Sequence, residues 1–255
     1  AHDETRFEDA VRHARAAVTI AEEGLGPQHP YVGDYASSLA GVETETGALG
    51  DALTASARSL SILEGAVARG ELPDHYANFA AALLNTGELY VRLGRPRDAM
   101  PLLERARHVY ADNHQRDQIV EVDALLAEAW RQLGHLAEAT EICTEGRATA
   151  EESKDTNPER VAEILIVEAN LDLDRGRAAD ALPLAERALA LAEKGALSPY
   201  DLSRARVTLA RALVRNGRDA ARARGLAEDA QRGFAQLKDR RHLEEVSAVL
   251  AQMSR

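Results

Sequence analysis

Eight histidines offer the first test for chemistry: His2, His13, His29, His75, His108, His114, His135 and His242. None belongs to an HExxH motif or to an i, i+4 pair, the spacing that brings two imidazoles onto one helix face for zinc. His108 and His114, six residues apart, come nearest; they read as exposed histidines near a helix end rather than a metal site. Cys143 is the single cysteine. It permits no internal disulfide and no Cys-based zinc site, and it fits a reducing compartment. It predicts a buried packing residue rather than a nucleophile. LDLDRG at 171–176 has the look of an acidic metal motif. On a helix, however, Asp172 and Asp174 point about 200° apart and cannot share one ion. Ser37 and Ser38 have no neighbouring base and no strand-to-helix elbow. Trp130 reads as core rather than as a ligand cage. No Gly-rich phosphate loop and no HRD or DFG sequence occurs. The residues therefore predict no catalytic set, no metal and no cofactor, and an α-helical enzyme is the weakest of the available readings.

The chain behind these residues is 255 long, 45% apolar and only 4% aromatic. That apolar share can build a core, and few β-branched or aromatic residues argue against a sandwich or barrel. Ala, Leu, Glu and Arg, the strong helix formers, dominate. A formal charge of −11 disfavours a phosphate-binding surface, so nucleic acid is not an expected partner. No apolar run approaches membrane-spanning length, and no signal-peptide pattern opens the chain; a cytoplasmic location is the expectation. The first residue, Ala1, is not Met, which suggests a processed or excised piece.

Five glycines reveal a repeat: Gly47 in TGALGDAL, Gly94 in LGRPRDAM, Gly134 in LGHLAEAT, Gly176 in RGRAADAL and Gly217 in NGRDAARA. They are spaced by 47, 40, 42 and 41 residues. Each sits between two helix-period segments, and Ala52, Ala99, Ala139, Ala181 and, after one inserted residue, Ala223 follow them. The unit this predicts is a helical hairpin. Glycine ends the first helix in the left-handed conformation, and the small residues let the second helix approach closely. One hairpin cannot bury its apolar stripe alone, so hairpins stack. Pro30, Pro73, Pro158 and Pro199 mark starts of first helices. The predicted elements are a half repeat at 5–23, hairpins at 31–69, 74–112, 116–152, 158–194 and 199–237, and a cap helix at 240–253, all in one domain spanning 1–255.

These residues resemble the tetratricopeptide repeat. The second hairpin matches best, with Gly87, Tyr90, Gly94, Ala99, Leu103 and Ala106; the third has Trp130, Gly134 and Ala139; the fourth has Gly176, Ala181, Ala185 and Ala188. The first and fourth depart, with Glu43 and Asp172 where a bulky residue belongs. Periods near 42 exceed the 34 residues of the common type. They resemble the kinesin-light-chain subtype, as does GLGPQHPYVGDYASSLA at 24–40, with His29, Pro30, Val32 and Leu39. The stretch LARALVRNGRDAARARGLAEDAQRGFAQL, followed by LEEVSAVLAQ, resembles the tail of large bacterial Ser/Thr kinases that end in such repeats.

The resemblance implies an all-α, right-handed solenoid whose first helices line a concave groove for a protein or peptide segment. It places Ser38, Asn85, Leu125, Val167 and Thr208 on one row. Gly41, Glu88, Glu128, Asn170 and Arg211 fall on the next, and Asp34, Ala81, Glu121, Glu163 and Arg204 on a third. The groove's middle is then acidic and apolar, with Glu88, Glu121, Glu128, Glu163, Leu84, Leu125 and Ile166, and its C-terminal end is basic, with Arg204, Arg211 and Arg215. Of a carboxylate clamp only Asn85 fits. Like charges brought together by stacking predict a basic peptide ligand, and predict that removing the charges of Glu88 and Glu128 together stabilises the free protein. The expected function is a non-catalytic scaffold, a regulatory region of a bacterial signalling protein. The alternative is self-assembly: an N-terminal helix with no preceding partner would expose Val11 and Val18 to a second chain.

Overall fold

The computed structural model describes residues 2–152, 157–194 and 198–253, with side chains from residue 8 onward. Among these residues there are twelve helices and no strand. They are α1 His2–Leu25, α2 Pro30–Glu45, α3 Leu49–Ala68, α4 Ala77–Arg92, α5 Pro96–Asp112, α6 Arg116–Gln132, α7 Leu136–Glu152, α8 Pro158–Asp174, α9 Ala178–Lys194, α10 Pro199–Arg215, α11 Ala220–Gln236 and α12 Arg240–Gln252. They fall into two compact units divided between Gln115 and Arg116, α1–α5 and α6–α12.

The hairpin turns follow from backbone chemistry. Gly47, Gly94, Gly134, Gly176 and Gly217 all have positive φ, between 61° and 80°. At Gly94 the N–H donates to the Val91 carbonyl at 3.1 Å and the Arg95 N–H donates back to Tyr90 at 2.8 Å. Those two bonds satisfy carbonyls that the helix end would otherwise leave open, and the left-handed residue between them suits glycine. The same closure ends two second helices without glycine, at His114 (φ 56°) and Lys238 (φ 54°). Pro30, Pro158 and Pro199 are each the first helical residue, as is Pro96. Pro73 is not: its carbonyl accepts the Tyr76 N–H in a turn, and α4 begins three residues later than the expected position 74.

Side-chain size sets the hairpin packing. Ala52, Ala99, Ala139, Ala181 and Ala223 are fully buried, so each second helix presses its backbone against the first. In the first unit Val18 and Ala21 of α1, Val32 of α2 and Ile62 of α3 form one cluster. Phe79, Leu83 and Leu89 of α4 and Leu103 of α5 are fully buried beside them in the same unit. In the second unit one cluster joins α6, α7 and α8 around Val120, Ala127, Cys143 and Ile164. A second, including Leu165, Ile166, Ala185, Ala188 and Leu209, continues it through α9 and α10. Each buried Leu or Ile contributes about 1.5–3 kcal/mol. The cap helix α12 covers α10 and α11 with Val246 and Val249, and His242 stacks on Phe234 at 4.7 Å.

Val18, expected on an open face, is buried because α1 packs onto α2 and α3; Val11 is half-buried. The large apolar side chains left exposed among the described residues are Ile20, Leu25, Tyr31 and Tyr35.

Candidate functional site

The first helices α6, α8 and α10 of the second unit bring most of the expected groove residues together. Asn170 on α8 donates its amide to Thr208 Oγ1 on α10 at 3.1 Å, and its Oδ1 accepts from Arg211 at 2.9 Å. Arg211 also pairs with Asp174 at 3.1 Å and with Glu245 of α12 at 2.9 Å. Asp174 in turn receives Arg131 of α6 at 2.5 Å. A chain of polar groups therefore runs across three successive first helices.

The acidic residues are compensated within the chain. Glu128 accepts Arg131 through both oxygens, at 2.8 and 2.9 Å, and also Gln132 at 2.9 Å. Burial pushes the Glu128 carboxyl up, but the charge and hydrogen bonds of Arg131, with Arg204 and Gln132, overcome it and hold it well below the usual range. Arg160 joins Glu121 at 2.9 Å to Glu163 at 2.7 Å. Glu163 goes the other way. Burial first, then Asp201 and Glu121, raise its carboxyl well above the usual range against the pull of Arg160. Arg204 pairs with Asp201 at 3.2 Å and stands over the Tyr200 ring.

In the first unit Asn85 of α4 donates to Ser37 of α2 at 3.4 Å. Glu88 pairs with the buried Arg92 at 3.5 Å, which also reaches Glu45 and the Thr44 carbonyl. Tyr76 donates its hydroxyl to Asp34 at 2.8 Å; burial and that acceptor push the phenol up to about 12.

Two expectations change. Ile166 is fully buried and Leu84 nearly so, because the helix turns these positions into the core; only Leu125, half-exposed, offers apolar surface. And Glu88, Glu121, Glu128 and Glu163 do not form an uncompensated acidic strip, because each pairs with Arg92, Arg131 or Arg160 and burial favours the protonated form of Glu163. The ground for a basic ligand, and for stabilisation on removing Glu88 and Glu128, falls with it. The sequence carried a signal for these arginines: Glu88–Arg92, Glu128–Arg131, Arg160–Glu163 and Asp201–Arg204 are i, i+3 or i, i+4 pairs.

Elsewhere the chemistry-bearing residues are dispersed. Cys143 is buried in core, its thiol donating to the Ile164 carbonyl at 3.7 Å and raised in pKa by burial. Asp172 pairs with Arg177 while Asp174 holds Arg131 and Arg211, so the two carboxylates serve different partners. Trp130 packs on the α6–α8 core and meets His135 edge-on at 5.2 Å. Among the described residues no three His, Cys, Asp or Glu side chains are grouped to hold a metal, and no helix is long and apolar enough to cross a membrane.

Residues 6–31 match the tetratricopeptide repeat family. No curated protein matches the sequence. Among solved structures, BtubC (BKLC) from P. vanneervenii is 21% identical with a TM-score of 0.60, over 91% of this chain and 92% of that one. A kinesin-light-chain-type protein of Podosopora anserina with nearly identical TPR-like repeats is 22% identical with a TM-score of 0.53, over 84% and 99%. The Rap protein, complexed with competence and sporulation factor, is 15% identical with a TM-score of 0.64, over 99% and 73%. The chain thus carries a tetratricopeptide repeat and has the all-α solenoid fold of tetratricopeptide-repeat proteins, with structural neighbours of the kinesin-light-chain kind.

Proposed function

We propose that the chain is a non-catalytic scaffold that binds an extended protein or peptide segment along the first-helix face of α6, α8 and α10. The observation that carries this reading is the polar chain Arg131–Asp174–Arg211–Asn170–Thr208. Its side chains are held in place before any ligand arrives, which reduces the ordering cost of binding. The face is charge-balanced, so the fitting segment carries both signs with an apolar residue for Leu125. Tetratricopeptide-repeat proteins are generally interaction scaffolds, and the Rap structure is a complex with competence and sporulation factor. The C-terminal resemblance and the single cysteine support a cytoplasmic regulatory region of a bacterial signalling protein, such as a Ser/Thr kinase.

A peptide array probed with wild type, Leu125→Asp and Asn170→Ala tests it. Segments retained by wild type should be lost or weakened about tenfold by either change. Retention unaltered by both folded variants would refute the reading. Self-association is the second reading, supported by Ile20 and Leu25 exposed on α1.

A further inference from the structure

In the first unit a cavity of about 500 Å³ opens between α3 and α5, the second helices of two successive hairpins, with Tyr90 of α4 also lining it. Small-molecule sites usually measure about 300–1,000 Å³. The apolar wall is Ala57 and Leu60 of α3 with Pro101 and Leu102 of α5, all of them exposed or half-buried. Two carboxylates line the cavity, and both are satisfied: Glu64 takes Arg105 at 2.9 Å and Asp98 takes Arg95 at 2.7 Å. Arg97 is different. It is exposed, and among the described residues it has neither an ion pair nor a hydrogen bond. It is the uncompensated charge of the lining. The hydroxyls of Ser61 and Tyr90 likewise have no hydrogen bond among the described residues, and both are open to solvent. Three residues after the other turn glycines stand Gly50, Ala137, Ala179 and Ala220, so the hairpin itself asks for no arginine at 97.

We infer that this cavity binds a small aliphatic monocarboxylic acid. The carboxylate accepts from the Arg97 guanidinium, whose planar fork matches its two oxygens, and from the Ser61 and Tyr90 hydroxyls. The aliphatic body lies against Leu60, Pro101 and Leu102. One free positive charge matches one negative charge. A phosphate monoester carries about two at neutral pH and is the poorer fit beside Glu64 and Asp98. An alkylammonium finds no carboxylate here without an arginine already on it. A protein segment is disfavoured by what surrounds the cavity. The large apolar side chains left exposed for a partner to bury are Ile20, Leu25, Tyr31 and Tyr35, on α1 and α2 rather than α3 or α5. The site lies in the first unit and is independent of the face proposed on α6, α8 and α10.

The test is an NMR titration of the full chain with hexanoate, followed at the Arg97 side-chain N–H and the Leu60 and Leu102 methyls. Saturable shifts at these groups are expected. Arg97→Gln should weaken binding about tenfold or more. Ala57→Asp, which sets a like charge in the wall, should abolish it. Both positions are exposed, so both variants should fold. Arg97→Lys keeps the charge but not the fork and should fall between wild type and Arg97→Gln. Acetate lacks the aliphatic body and 1-hexanol lacks the charge; each should bind about tenfold or more weakly than hexanoate. Hexyl phosphate should also bind more weakly. No saturable shift with hexanoate, unchanged binding in Arg97→Gln, or binding of 1-hexanol or hexyl phosphate equal to that of hexanoate would overturn the inference.

Discussion

Gly87 lies inside α4, where helix propensity alone would favour alanine by about 1 kcal/mol. Packing cancels that gain or outweighs it. A Cβ at Gly87 would stand 2.5 Å from Leu103 Cδ2 and 2.6 Å from its Cγ, whereas carbon atoms rest about 3.5–4.0 Å apart. Leu103 is fully buried on α5 and has no solvent to move into, so α4 and α5 must part or Leu103 must leave its rotamer. Overpacking of this kind costs about 1–3 kcal/mol, and with the helix gain set against it the net for Gly87→Ala lies between neutral and a loss of about 2 kcal/mol. Gly225 on α11 is the internal control, because nothing lies within 4 Å of its Cβ position; Gly225→Ala should gain up to about 1 kcal/mol. Urea unfolding followed by helical circular dichroism reads both. A double-mutant cycle sharpens the test. Leu103→Ala alone should cost about 2–5 kcal/mol, but with Gly87→Ala the added methyl occupies part of the vacated space. The double variant should then lose less than the sum of the singles. Gly87→Ala as stabilising as Gly225→Ala, or strict additivity in the cycle, would refute the close approach of α4 and α5.

Other outcomes follow from the caps and the buried charges. His114→Gly and Lys238→Gly relieve left-handed residues at φ 56° and 54° and should each stabilise by about 0.5–1 kcal/mol in the same assay. Glu128→Gln should destabilise by about 1–3 kcal/mol at neutral pH, because it leaves the half-buried Arg131 with Asp174 as its remaining carboxylate. The depressed Glu128 carboxyl makes that difference present above the unfolded value of 4.5 and lost as pH falls below it. Glu163 has the opposite sign: the folded state keeps a proton that the unfolded chain releases above 4.5. Relative to Glu163→Gln, wild type should lose stability as pH rises from that value, measured as the urea midpoint against pH. Ile20→Lys should lower any sedimentation-detected self-association; an unchanged association constant would remove α1 from the interface.

The hairpin frame was legible because glycine and the small alanines mark it directly; Gly94 and Ala99 fix one turn and one close contact. The ends of α5 and α11 were less visible, since His114 and Lys238 adopt the left-handed cap without a residue type that announces it. Pro73 misplaced the start of α4 because proline opens a turn as readily as a helix. The groove rows put Glu128, Asn170 and Arg211 on first helices, and they lie on α6, α8 and α10. The expectation of apolar groove surface at Ile166 failed, because rotation about the helix axis decides burial, a detail finer than a repeat frame supplies. Pairing was misjudged most. Counting acids along a face omits partners such as Arg131 and Arg160, although their spacing was readable. Arg15, 28 residues before Glu43, and Arg211 bonding Glu245 of the next repeat carry no such local mark.

Within each unit, helices pack on those one or two places away in chain order, as α2 does on α3 and α4, and α8 on α9 and α10. Such an order suits vectorial assembly. As the chain leaves a ribosome, every emerging hairpin finds its packing partner already made, and no segment must wait for a distant one to be synthesised. The interval in which apolar stripes stand bare is then set by the delay of a single repeat, not by the length of the chain.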